Sequence, residues 1–405
     1  MNQAARRAIA LVLLGGYGAA QTTWYVNELA AAPFEGTLTQ PFKSIEQAIA
    51  ASGTVTGDTL LALPGVYGSF SVGSKGLKIR STDGPLVTAI QPGADFRTVR
   101  LTALAGADLE GFTVYAKPGG RAVTGASSIV RQCILLGQPG AEIGFLQDVN
   151  CGATDSSVER CLIAGFEHGV VRNVYCDVVA RNSILDGNTY DLETGARYCV
   201  YGALGFNGWA ADSLQVNPQL VDFAGHDFHL LAGSPCIDAG DPNSPLDPDG
   251  SRADIGPFPY DASYQPYTTY CTAKVNSLGC TPSIHALNTG SVTSTRPFWI
   301  QCSNQINQRS GLMSYGFAPQ ATPYQGGFKC IASPTRRSGV LNSGGNAGAP
   351  DCSGLFAVDF NQTIRAGLDP ALALGQEVYC QFWARDPAAS FANNRSDALR
   401  FRVAP

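Results

Sequence analysis

Short β-branched runs broken by Gly, Asp and Asn fill the first two-thirds of the chain. Thr59–Leu63, Leu77–Arg80, Thr98–Leu101 and Phe112–Tyr115 are the clearest. Their length and their Val, Ile, Thr and Tyr content read as strands. One helical pattern precedes them. In residues 43–51, Ile45, Ala48 and Ile49 share a face at i, i+3 and i+4. Pro41 and Ser44 suit its start and Gly53 its end.

The runs repeat. Leu109-Glu-Gly-Phe-Thr-Val114 aligns with Val130-Arg-Gln-Cys-Ile-Leu135, then with Val158-Glu-Arg-Cys-Leu-Ile163 and Val179-Ala-Arg-Asn-Ser-Ile184, at offsets of 21, 28 and 21 residues. Three columns result: Leu109/Val130/Val158/Val179, Phe112/Cys133/Cys161/Asn182 and Val114/Leu135/Ile163/Ile184. A period just over 20 residues, with strands and no intervening helices, marks a solenoid. The predicted fold is therefore all-β: a right-handed parallel β-helix of roughly eight coils spaced about 4.8 Å apart. The helix at 43–51 is the expected N-terminal cap. Pro218 to Tyr260 is the expected closure of the C-terminal end, since an open coil exposes core and strand edge. It supplies Leu220, Phe223, Phe228, Leu230, Ile237, Ile255 and Phe258.

Trp24-Tyr-Val-Asn27, Gly36-Thr37, Gln40-Pro-Phe-Lys-Ser-Ile45, Gly57-Asp58-Thr59 and Leu63-Pro-Gly-Val-Tyr67 resemble the opening of secreted right-handed β-helix proteins of the pectin-lyase-like group. Asp227-Phe-His-Leu230, Gly233-Ser-Pro235, Ile237-Asp-Ala-Gly-Asp-Pro242 and Asp254-Ile-Gly256 resemble the terminal coil of the same bacterial surface proteins. The resemblance covers residues 24–260 and implies a fold that hosts polysaccharide lyases and hydrolases, without fixing an activity. Residues 270–405 resemble a different unit, a disulfide-bearing C-terminal module found on many secreted bacterial proteins. Tyr270-Cys-Thr-Ala-Lys-Val-Asn-Ser-Leu-Gly-Cys280, Gln325-Gly-Gly327, Asp351-Cys-Ser-Gly354 and Cys380-Gln-Phe-Trp-Ala-Arg-Asp-Pro387 carry that likeness. It implies display, attachment or sorting. The strand-like runs Phe298–Cys302, Gly354–Phe360, Glu377–Trp383 and Leu399–Val403 independently predict a small β-sandwich.

Charge supports the division. Residues 21–260 carry 25 acidic and 14 basic side chains; residues 261–405 carry 7 and 11. The expected organisation is a signal peptide over 1–20, a β-helix over 21–262 and a disulfide-linked sandwich over 263–405. Arg6 and Arg7, the apolar run Ala8 to Leu14 and the small residues Gly18-Ala19-Ala20 form the signal pattern. The expected location is secreted or cell-surface. No later apolar run is long enough to span a membrane, and a net charge of −5 argues against nucleic acid as partner.

Twelve cysteines suit an oxidising compartment, and no CxxC pair suggests zinc. Cys133 and Cys161 share a column on neighbouring coils. They read either as a disulfide, for which the coil spacing lies in range, or as small buried hydrophobes. Cys151, Cys176 and Cys199 recur at spacings of 25 and 23, so two of them are expected to pair and the third to meet Cys236. Cys271, Cys280, Cys302, Cys330, Cys352 and Cys380 are expected to close within the second module.

For chemistry, the middle coils offer Asp148, Asp155, Glu159, Glu167, Asp177, Asp186, Asp191 and Glu193, but no pair with a hydrolase pattern. Arg160 and Arg181 align in one column, and with Arg131 they are the candidate contacts to an acidic glycan. The competing reading is a ladder of alternating sign, Glu110/Arg131/Glu159, that only stabilises stacking. His168 follows Glu167, yet adjacent strand residues face opposite ways. Asp238, Asp241, Asp247, Asp249 and Asp254 cluster in a Gly/Pro loop. They read as a structural Ca²⁺ site or as Asx turns with an Arg252 ion pair. The favoured function is a non-catalytic surface that binds a polysaccharide or cell-envelope partner. A polysaccharide-degrading enzyme, a uronate lyase before a hydrolase, is the alternative.

Overall fold

The computed structural model describes residues 21–404 except 103–104, 149–154, 174, 207, 224–225, 265 and 295. The signal segment and Cys151 lie outside the described residues. Ile45–Ala50 is the helix, and the Ser44 hydroxyl caps it by accepting from the Gln47 N–H. Ile45 and Ala48 bury against the first coils. Beside it, the indole of Trp24 and the Thr22 and Val55 amides all donate to buried Asp58. Burial works to raise the Asp58 carboxyl, but these bonds outweigh it and hold its pKa below the usual value.

The chain then winds through three stacks of parallel strands. The first has nine strands among the described residues, from Thr23–Val26 and Thr59–Ala62 through Ser156–Glu159 and Val178–Arg181 to Gly195–Arg197 and Trp209–Ala211. The second runs from Gly65–Tyr67 to Val200–Tyr201, and the third from Phe70–Val72 to Tyr190–Glu193. Ile134–Gln147 and Leu162–Val171 serve both. Leu60, Ile79, Leu109, Val130, Val158, Ala180 and Ala196 form one inward column, all fully buried. This is a parallel β-helix, as the repeat implies.

One register differs from expectation. Val158 pairs with Ala180, not Val179. The fourth row of the alignment is shifted by one residue, so Cys161 stands over Ser183 and Ile163 over Leu185.

The corner between the first and second stacks explains the cysteines. Gly111, Gln132, Arg160, Asn182, Tyr198 and Asp212 all take left-handed backbone there, with φ between 46° and 81°. For the non-glycine residues this costs about 1 kcal/mol each. Stacking offsets it. Gln132, Arg160 and Asn182 each donate their N–H to the carbonyl of the next coil, at 3.0, 3.0 and 3.3 Å. The residue that follows is Cys133, Cys161, Ser183, Cys199 or Ser213. Each side chain donates back to the carbonyl two residues earlier. It also accepts an N–H from the coil before: Phe112 to Cys133 at 3.5 Å, Cys161 to Ser183 at 3.1 Å, Cys199 to Ser213 at 3.0 Å.

The expected Cys133–Cys161 disulfide is therefore not formed; both thiols are free and buried. Parallel stacking keeps their Cβ atoms near the coil spacing of about 4.8 Å, whereas a disulfide needs roughly 3.8 Å. Cys199 and Cys236 are also free, which overturns the expected bridge to Cys236. Cys176 is disulfide-bonded.

A second correction concerns Pro218 to Tyr260. It does not plug the end of the solenoid. It runs back along the outward face of the second stack, where Ile134, Leu162, Ile184 and Val200 bury against Leu220, Phe228, Leu230 and Ile255. The C-terminal module docks on the same flank. Arg296 pairs with buried Asp222 at 2.7 Å, Thr293 meets His226 at 2.7 Å, and Leu374 packs beside the strap. That module is a sandwich. A six-stranded sheet including Glu377–Arg385 and Asn393–Arg402 faces Ser283–Leu287, Trp299–Gln305 and Gly354–Asp359 across a core of Phe298, Phe356, Phe360, Phe382 and Phe401. Cys271–Cys330 and Cys280–Cys352 cross-link it, while Cys302 and Cys380, expected in bridges, are free and buried in the core.

Two outcomes follow from the corner ladder. Burial pushes the Cys133 and Cys199 thiols up to about 12, so at pH 8 only about one in 10⁴ is thiolate. Iodoacetamide is expected to spare Cys133, Cys161 and Cys199 in the native chain and to label all three in denaturant without reductant, read by peptide mass spectrometry. Cys133→Ser keeps both hydrogen bonds, to the Arg131 carbonyl and from the Phe112 N–H, and should shift stability little. Cys133→Val orphans the buried Phe112 N–H and should cost about 1–3 kcal/mol by urea unfolding.

Candidate functional site

Alternate residues of each strand face outward, so the outer face of the first stack carries columns of side chains one coil apart. By register one column reads Leu61, Arg80, Glu110, Arg131, Glu159, Arg181, Arg197, Ala211. Signs alternate through Arg181. Arg80 meets Glu110 at 3.3 Å and Arg131 meets Glu159 at 2.8 Å. These half-exposed pairs each contribute less than about 1 kcal/mol. Burial alone would lower the Arg131 pKa, but the bond and charge of Glu159 outweigh it and raise it.

The alternation then fails. Arg181 is followed by Arg197, not by an acid. Among the described residues neither forms an ion pair within 4.0 Å. On strands about 4.8 Å apart, two guanidinium groups held at that spacing would repel by roughly 1 kcal/mol even in water. An anion placed between them would remove that repulsion and gain charge-assisted hydrogen bonds.

Arg160 stands elsewhere. The one-residue register shift puts it in the corner column, not beside Arg181. Its guanidinium reaches Asp247 of the strap at 2.7 Å, with the Asp247 side chain only 2% exposed. Of the three arginines chosen from sequence, Arg131 and Arg160 are spent on partners and Arg181 is not. Arg197 was missed because its coil is shorter than the repeat; the signal available was Ala-Arg recurring at 180–181 and 196–197.

The strap aspartates point mostly at backbone. Asp247 accepts from the Asp254 amide at 2.7 Å; Asp254 accepts from those of Asp238 and Tyr260, both at 2.6 Å. Asp241 and Asp249 close Asx turns on Asn243 and Ser251. Burial, then the charges of Asp247 and Asp238, raise the Asp254 carboxyl, against the lowering effect of its two amide bonds. Arg252 donates to the Gly240 carbonyl and lies over Tyr198 instead of pairing with an acid. Among the described residues no three His, Cys, Asp or Glu side chains converge as a metal site.

Stacking also gives His168 a partner that sequence reading did not name. Its Nδ1 lies 2.8 Å from Glu193, twenty-five residues on, while Glu167 stands at 3.7 Å from Nε2. Tyr190, in register on the next coil, stacks on the imidazole. The other middle-coil acids are largely committed. Asp191 accepts from Asn188 and from the Gly202 and Ala203 amides, and Asp177 pairs with Arg172.

No family model matches the chain, and no curated protein matches it. Among solved structures it is similar to pectate lyase Pel9A, at 13% identity and TM-score 0.28, over 60% of this chain and 98% of that one. It is also similar to pectin methylesterase PemA from Erwinia chrysanthemi, at 13% and 0.29 over 47% and 81%, and to the Aspergillus niger pectin methylesterase, at 12% and 0.25 over 53% and 71%. No helix among the described residues is long and apolar enough to cross a membrane.

The Arg160–Asp247 pair makes a stability prediction. Asp247→Ala leaves a mostly buried guanidinium without its counter-charge and should cost about 3–5 kcal/mol. Arg160→Ala/Asp247→Ala should recover part of that loss in urea unfolding. An unchanged midpoint in Asp247→Ala would show that the strap is anchored elsewhere.

Proposed function

We propose that the protein is a secreted or cell-surface β-helix that binds an acidic glycan on the outer face of its first stack without cleaving it. One observation carries this reading: a ladder of alternating charge ends in two consecutive arginines, Arg181 and Arg197, neither of which forms an ion pair among the described residues. Structural ladders gain from pairing signs, so an unpaired repeat of like charge is a cost that stacking alone does not offset. A polymer whose acid groups recur along its length suits two cations stacked along the solenoid axis. The disulfides suit an oxidising compartment, and the docked C-terminal module would serve display or attachment.

A second reading rests on His168. Held at Nδ1 by Glu193, its ring could offer Nε2 as a general base, the group that a uronate lyase needs opposite the acidic C–H. One experiment separates the two. The chain is passed over immobilised polygalacturonate and over neutral glycans, with and without Ca²⁺, while unsaturated uronate absorbance and new reducing ends are followed. Retention on the acidic polymer alone is expected, without cleavage, and abolished by salt. Arg181→Ala/Arg197→Ala should weaken binding by about tenfold, or 1.4 kcal/mol, whereas Arg131→Ala should change it little. Cleavage that His168→Ala abolishes would replace the binding reading with the lyase.

A further inference from the structure

The inward column of the first stack, fully buried from Leu60 to Ala196, ends on Ala210, which is half-buried. The N-terminal end is closed by the helix and Trp24. The segment that could have closed the other end lies on the second flank instead. Trp209–Ala211 is thus the edge strand, last in the nine-strand order. Its bonds fix which groups are free. The Trp209 N–H donates to the Thr194 carbonyl at 3.1 Å, and the Ala211 carbonyl accepts from the Tyr198 N–H at 3.3 Å. Residues 209 and 211 therefore face the preceding strand, and in a β-ladder the residue between them faces away. Ala210 presents its N–H and C=O to the open side. Leu204, Phe206, Trp209 and Val216, between 42% and 86% exposed, belong to the last two turns of the chain beside this edge.

We infer that this edge pairs with the same edge of a second copy of the chain, joining two solenoids tail to tail. The open groups are backbone groups of a strand, so the occupant that satisfies them is another strand. The edge is also self-complementary. A two-fold axis at Ala210 gives an antiparallel pair in which Ala210 exchanges both its hydrogen bonds with Ala210 of the second copy. The same axis sets Trp209 opposite the small Ala211 of the second copy, its indole lying back over Gly195 of the strand behind. The apolar side chains around the edge go from water into the joint. Three residues per strand make a short pairing, so the association is concentration-dependent.

Light scattering on the full chain tests this across about 1 to 200 µM. The mean mass should rise from the 42.5 kDa of one chain toward twice that value. Ala210→Pro removes the donor on the axis and leaves the bonds of residues 209 and 211 to the preceding strand. It should raise the dissociation constant at least about tenfold. Trp209→Ala should act in the same direction, and it decides the matter if Ala210→Pro melts earlier than the parent chain. A mass that stays at one chain throughout overturns the inference, including a case where Trp209 fluorescence responds to a glycan instead. A dimer that persists unchanged in both variants overturns it as well.

Discussion

A coil spacing of about 4.8 Å governs this molecule. Each coil must present its polar groups where the next coil can use them, or bury them unpaired. The corner between the first and second stacks shows how tightly this binds the sequence. Its first residue must be left-handed, which is unfavourable for Gln132, Arg160, Asn182, Tyr198 and Asp212. Its second must both donate and accept through one small side chain. Serine and cysteine do this, and between them they fill the column from Cys133 to Ser213. The cysteines there are hydrogen-bonding residues that tolerate full burial.

The same spacing turns charge into a pattern with a readable exception. Side chains in one column cannot avoid each other, so each neighbour of like sign is a penalty. Arg80, Glu110, Arg131 and Glu159 obey that constraint in two pairs. Arg181 and Arg197 break it. Cost placed at an exposed position, where an acid would have been easy to supply, points to a ligand more than to stability. Arg160 shows the opposite case. One residue away in register, it leaves the ladder and becomes the anchor that ties the strap to the solenoid through Asp247.

The repeat was legible because its period rests on Leu109, Val130 and Val158, bulky inward residues that stacking holds in one column. It became illegible where that column shrinks to Ala180, Ala196 and Ala210. Alanine leaves little hydrophobic signal, and the coils shorten there. The alignment slipped by one residue at Val179, and a slip of one exchanges the faces of a strand. That single error put Arg160 beside Arg181 and hid Arg197. The helix at Ile45–Ala50 survived as read because its cap and its periodicity are local. The His168–Glu193 pair could not be read, because it depends on register across a whole coil. The strap was misplaced for a related reason. Its composition identifies a segment that covers apolar surface, but not which surface, and the outward residues Ile134, Leu162 and Ile184 present a larger one than the narrowed end does.

The three flanks are therefore not equivalent, and this division bears on function. The second is shut by the strap and by the docked C-terminal module, whose contacts through Asp222–Arg296 and Leu374 fix it against the solenoid. The third carries short loops and the His168 cluster. The first is a sheet whose outward face carries the charged column from Arg80 to Arg197 along the axis. Only at its last two arginines, Arg181 and Arg197, does the coil spacing set like charges side by side. Burying the second flank under the strap holds the C-terminal module to one side, so the face with Arg181 and Arg197 is not covered by the chain that carries it.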